Sequence, residues 1–161
     1  MTSESDRLRQ LLDLVAREAH HLQGVTVRLF GNANPTPGWL EGVLATPEGI
    51  DRLESFVGKF ARMQDTMMDK LLPVFLRATG ERTGTALDNL NLAQRLGFVT
   101  DPDAWLAMRR LRNRLVHEYV EDPVELAAAL VKARELVDEL GSSYRSIRAY
   151  AERHLTGIGN A

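Results

Sequence analysis

Apolar residues recur with a helical period over most of the chain. Leu8, Leu11, Leu12, Val15 and Ala19 form one stripe at about 3.6-residue spacing, which predicts a first helix from Ser5 to Leu22 with Ser3 and Asp6 as its capping box. Residues 23–46 break that period. Gly31, Asn32, Asn34, Pro35, Pro37 and Gly38 punctuate the segment, and Val25 to Phe30 alternates like a short strand without a partner, so the stretch reads as an irregular loop. Thr46-Pro47-Glu48 is a strong helix start, a capping residue followed by proline in the first turn. The helix it opens carries Ile50, Leu53, Val57, Phe60, Met63 and Met67, is kinked or interrupted by Pro73, and closes at Gly80. A shorter helix from about Thr85 to Leu96 ends at Gly97. Asp101-Pro102 and Asp122-Pro123 each open one more. Because Pro123 disfavours helical geometry at Asp122, the first of these two ends just beyond Tyr119. The last runs through Leu126, Leu130, Ala133, Leu136, Val137 and Leu140, with a kink at Gly141 to Ser143 before Tyr144, Ile147 and Tyr150. The pattern predicts an all-α fold, an antiparallel four- to five-helix bundle forming one domain over residues 1–156, with a frayed tail at 157–161.

Composition narrows the chemistry. A length of 161 residues with 44% hydrophobic and 26% charged content suits one domain with a real core. The absence of cysteine excludes disulfides, thiolate zinc sites and cysteine nucleophiles. The amino terminus lacks the basic start and apolar run of a signal peptide, and the best apolar run, Leu126 to Val131, is far below the ~20 residues a bilayer requires. A cytoplasmic protein with no membrane association is expected. The formal net charge of −2 argues against a globally basic nucleic-acid binder, but Arg109, Arg110, Arg112 and Arg114 place four cations within six residues. No acid lies between Asp103 and Glu118.

That cationic run sits on the helix opened by Asp101-Pro102. Projected at about 100° per residue, Trp105, Met108, Leu111, Leu115 and Val116 fall in one stripe, and Arg112 and Tyr119 lie inside it. A guanidinium among those side chains costs several kcal/mol unless it finds an anion or acceptors. The plain solution is a carboxylate from another helix; the functional one is a phosphate. His117 and Asn113 project roughly one face round from Arg112, so one straight helix cannot aim Arg112 and His117 at one atom. Either the helix loosens near its end, or a second copy of the chain adds its own pair across a two-fold axis, which is the preferred reading.

The string Arg112-Asn113-Arg114-Leu115-Val116-His117-Glu118-Tyr119 resembles the R-x4-H-x-Y motif of HEPN domains, the higher-eukaryote and prokaryote nucleotide-binding family. It is most similar to the HEPN toxins paired with minimal nucleotidyltransferase antitoxins. The resemblance implies a helical bundle of HEPN type acting as a homodimeric, metal-independent ribonuclease without a cofactor. On that basis Arg112 would stabilise the attacked phosphate, His117 would be general acid or base, and Asn113 would orient phosphate or histidine. Arg109, Arg110 and Arg114 would meet RNA, a solvated basic face being their plain alternative. Tyr119 matches the tyrosine that the partner nucleotidyltransferase modifies with AMP; otherwise it anchors packing. The rivals are a non-enzymatic HEPN relative that binds a nucleotide or serves a nucleotidyltransferase, and a plain dimerisation module with structural arginines.

Other features carry less chemistry. His20 and His21 are adjacent and lack the H-E-x-x-H context of a metal site. Met63, Met67 and Met68 are core-filling residues, and the segment from Gly31 to Gly38 lacks the Gly-Lys-Ser/Thr ending of a phosphate loop. Asp65 and Asp69 stand four apart without the Glu-x-x-His partners of a di-metal bundle.

Overall fold

In the computed structural model of the protein, residues 3–117, 122–155 and 158 are described, with side chains outside the description at 115–117. The architecture is an all-α bundle. Its elements are α1 (Glu4–Phe30), α2 (Pro37–Leu44), α3 (Pro47–Thr66), a π-helical turn (Met67–Leu71), α4 (Leu72–Ala78), α5 (Ala86–Arg95), α6 (Pro102–His117) and α7 (Pro123–His154).

The segment 23–46 is irregular only at residues 31–36 and 45–46; the rest of it is helical. α1 continues through it to Phe30, because Leu22, Val25 and Leu29 extend the buried stripe begun by Leu8, Leu11 and Val15. The alternation of Val25 to Phe30 that suggested a strand is overridden by this tertiary burial. Gly31, at φ 54°, ends α1 and donates its N–H to the Val27 carbonyl at 2.9 Å. α2 then starts on a Thr36 cap with Pro37 in its first turn. Its C-terminal end lies against the first turn of α3 so closely that a Cβ on the buried Gly49 would stand 1.9 Å from the Val43 carbonyl oxygen. Trp39 of α2 stacks on Phe30, which meets Phe56 edge-on.

The helix starts read from the sequence hold. Thr46 caps α3, Asp122 caps α7, and Thr85 with Asp88 closes a reciprocal capping box on α5. Ser3 makes its half of the α1 cap by accepting from the Asp6 N–H at 3.1 Å. Pro73 has no N–H, and its ring crowds the carbonyl four residues back at Asp69. The wide π turn accommodates it, with Leu72 donating to Met67 five residues earlier, so α3 and α4 remain one helical path. α7 runs without interruption through Gly141 and Ser143. Ile158 is buried in the core; residues 157 and 159–161 of the expected frayed tail lie outside the described residues.

α1 lies antiparallel to α3 and to α7. Glu18 meets Thr66 and Phe30 meets Phe56 on one side; Tyr144 donates its hydroxyl to the Leu12 carbonyl at 2.9 Å on the other. Phe75, Phe98 and Tyr150 meet edge to face and tie α4, the α5–α6 connection and α7 together. No helix among the described residues is long and apolar enough to cross a membrane.

Candidate functional site

α6 is fixed at its start by Asp101, whose Oδ1 accepts from the N–H groups of Asp103 at 3.1 Å and Ala104 at 3.3 Å. Trp105 and Met108 then bury against α3, and Gln64 donates from Nε2 to the Trp105 carbonyl at 2.8 Å. A buried side chain of α3 thus grips the backbone of α6. This contact sets the register in which the arginines that follow meet the next polar residues of α3.

Those residues are Asp65 and Asp69, which flank the start of the π turn. Asp65 receives Arg112 end-on, from Nη1 at 3.0 Å and from Nη2 at 2.5 Å. Arg109 reaches the same carboxylate at 3.0 Å and adds Asp69 at 2.7 Å. The Arg112 side chain is only 12% exposed and that of Arg109 22%, so both guanidiniums lie largely under the surface while Asp65, at 43%, keeps contact with solvent. Burial alone would lower the pKa of Arg109; hydrogen bonds to Asp69 and Asp65 outweigh it and hold the group above its ordinary value. Two arginines and two aspartates thus make a cluster of zero net charge.

The four-cation run of the sequence is therefore divided. Arg109 and Arg112 are joined through Asp65. Arg114 turns to α7, donating to Glu125 at 2.9 Å, and Arg110 and Asn113 are exposed. Acids from α3 and α7 supply the counter-charges that the run itself lacks. α6 ends at His117. The side chain of His117 and the whole of Tyr119 lie outside the described residues, and with them the expected divergence of His117 from Arg112 and the expected placement of Tyr119 beside it.

One feature of the cluster is unbalanced. The Nε–H groups of Arg109 and Arg112 are shut off from solvent and have no acceptor among the described residues. The end-on pairing with Asp65 uses Nη1 and Nη2 of Arg112 and leaves its Nε edge vacant. Asp65 and Asp69 are the members of the site that the sequence reading weighed only as metal ligands. Their signal was complementary spacing, two acids at i,i+4 on one apolar-striped helix and two arginines at i,i+3 on another. Among the described residues no group of three His, Cys, Asp or Glu side chains could hold a metal ion. No protein-family model, no curated protein and no solved structure matches this chain.

Proposed function

We propose that this chain is a metal-independent RNA endonuclease of the HEPN toxin type, with Arg112, Asn113 and His117 as catalytic residues and the site completed by a second copy of the chain. The observation that carries the reading is the unmatched Nε–H of Arg112, whose end-on pairing with Asp65 leaves the Nε side of the guanidinium unused. A buried donor without an acceptor costs about 1–3 kcal/mol. An arginine held end-on by one carboxylate can still take a second anion side-on, through Nε–H and the remaining Nη2–H. Because that edge is shut off from solvent among the described residues, a phosphate reaches it only when the side chains over it shift; it then gains charge-assisted hydrogen bonds without displacing Asp65, which already fixes the guanidinium plane.

The reaction that fits uses the RNA's own 2′-hydroxyl. A histidine takes the 2′-proton as the 2′-oxygen bonds to phosphorus; the bond from phosphorus to the 5′-oxygen breaks, and an acid protonates that leaving oxygen. The products are a 2′,3′-cyclic phosphate and a 5′-hydroxyl. Arg112 neutralises the charge that builds on the phosphorane oxygens. His117 projects about 140° from Arg112 on α6, so base, acid and charge stabiliser are best supplied by two chains. Seven residues nearly complete two turns, which projects Tyr119 about 20° from Arg112 if the helix is continued. AMP placed there by a nucleotidyltransferase antitoxin would set a phosphodiester over the arginine and silence the enzyme.

The bidentate Asp65 pair favours a second reading, a dimerisation or binding module in which the arginines are structural. One experiment separates the two. Wild-type, Arg112→Ala and His117→Ala proteins are incubated with total RNA in EDTA, with folding checked by circular dichroism. The ribonuclease reading expects wild-type cutting to cyclic-phosphate ends and losses of about 10²–10³-fold in both variants. A folded wild type that cuts no RNA, with Arg112→Ala changing only stability, supports the structural reading.

A further inference from the structure

A second cationic region lies on the opposite flank of α3. Between α1 and α3 runs an open groove of about 470 Å³ lined by His20, His21, Gln23, Gly24, Val27, Arg28 and Lys59. No carboxylate is among those residues. Acids on this half of α1 are confined to Glu18, which is buried beneath the surface. Lys59 donates to Ser55 at 2.8 Å, and among the described residues no ion pair joins Lys59, Arg28, His20 or His21. Exposed Arg62, one turn beyond Lys59, carries the same charge along the ridge of α3 toward Asp65.

The groove is shaped as well as charged. Gly24 stands inside α1, where glycine weakens a helix. A Cβ there would stand 3.0 Å from Arg28 Nη1, so the missing side chain lets the Arg28 guanidinium fold back over the groove. Val27 is 58% exposed, and the His20 and His21 rings stand 6.0 Å apart, tilted at 55°. Cations beside exposed flat and apolar faces are what a single strand uses, phosphates on the charges and bases on the faces. From His20 to Arg28 the groove follows nine residues of helix, about 12 Å at 1.5 Å per step, more than one phosphate needs.

We infer that the α1–α3 groove binds the phosphate backbone of a single RNA strand, with Arg28 and Lys59 as its main contacts. The choice of RNA rests on the ribonuclease reading. The groove then holds the part of the strand that continues past the cutting site over Arg62, and it sets affinity and not the chemical step.

The test uses full-length His117→Ala protein, so that RNA is bound without being cut, and a fluorescent single-stranded oligonucleotide titrated at several salt concentrations. The double variant Arg28→Ala/Lys59→Ala is expected to weaken binding about tenfold. It should also reduce the slope of log affinity against log salt by about 1.4, at roughly 0.7 per phosphate contact on a single strand. Arg95→Ala/Lys132→Ala, which removes equal charge from exposed positions elsewhere, should leave both unchanged. Gly24→Ala should raise thermal stability and yet weaken binding, a combination that a merely structural role does not produce. Equal loss in the Arg95/Lys132 control would overturn the inference. So would AMP binding as tightly as the oligonucleotide, or anionic vesicles retained by the groove while RNA is not. Groove-dependent RNA binding by a protein whose wild type never cuts would sustain the groove and sink the ribonuclease; cutting that ignores the groove variants would do the reverse.

Discussion

The two flanks of α3 handle positive charge in opposite ways. On the α6 side, Arg109 and Arg112 are sunk below the surface, shared between Asp65 and Asp69, and held in fixed orientation. On the α1 side, Arg28 and Lys59 line an open groove that no carboxylate enters. A cation fixed by carboxylates is oriented but locally neutral; an unpaired one attracts a polyanion but is loosely placed. Catalysis needs the first property and capture of a strand needs the second. A run of arginines in a sequence is therefore not by itself an uncompensated positive surface.

Rate is where the two flanks should differ most. Arg112→Ala is expected to reduce kcat by about 10²–10³-fold. Arg28→Ala/Lys59→Ala should instead raise KM with kcat nearly constant, as expected for removal of uniform binding. Steady-state kinetics on a defined oligonucleotide measures both, and a kcat loss of similar size from the groove pair would erase the distinction.

Stability should separate them next. The Arg112–Asp65 pair is expected to show a coupling of about 1 kcal/mol in a double-mutant cycle by urea unfolding, held to that size because Asp65 remains 43% exposed. Lys59→Ala and Arg28→Ala should each stay within about 0.5 kcal/mol of wild type. A coupling near zero for Arg112 and Asp65 would mean that Asp65 does not hold the guanidinium.

A smaller effect concerns Glu18, between α1 and α3. Burial pushes its carboxyl above the ordinary carboxylate range, against the lowering influence of Thr66 and of Arg62, Lys70 and Arg17. Geometry agrees. Thr66 Oγ1 lies 3.0 Å from Glu18 Oε2 and 2.9 Å from the Arg62 carbonyl, and its one proton serves only one of them. With Glu18 protonated, Glu18 donates to Thr66 and Thr66 donates to the carbonyl. The folded state therefore binds this proton more tightly than the unfolded chain, so stability falls as pH rises from the ordinary carboxylate value through the raised one. Glu18→Gln should flatten that part of the stability profile. An unchanged slope in the Gln variant would assign the pH dependence to other groups.

How much of this was legible in the sequence varies with the range of the interaction. Caps are local, so Thr46, Thr85, Asp101 and Asp122 placed four helix starts correctly. The run Gly24 to Phe30 misled because glycine and β-branched residues oppose helix locally, and only burial of Val25 and Leu29 against the rest of the bundle decides otherwise. Arg112 was recognised as a guanidinium that needs an anion, from its place among Trp105 and Met108. That the anion would be Asp65 depends on the register of α6 against α3, set by Gln64 and the Trp105 carbonyl, and no local pattern encodes that register. The groove was missed for a similar reason. His20, His21 and Arg28 are ordinary surface residues on one helix, and they become a cationic surface only when antiparallel packing brings Lys59 beside them.

End-group analysis of labelled RNA in EDTA decides whether RNA is cut through Arg112 and His117. Wild type is expected to leave 2′,3′-cyclic phosphate and 5′-hydroxyl ends, and a folded His117→Ala protein almost none. Cutting by His117→Ala at the wild-type rate, or no cutting by the folded wild type, would contradict that assignment.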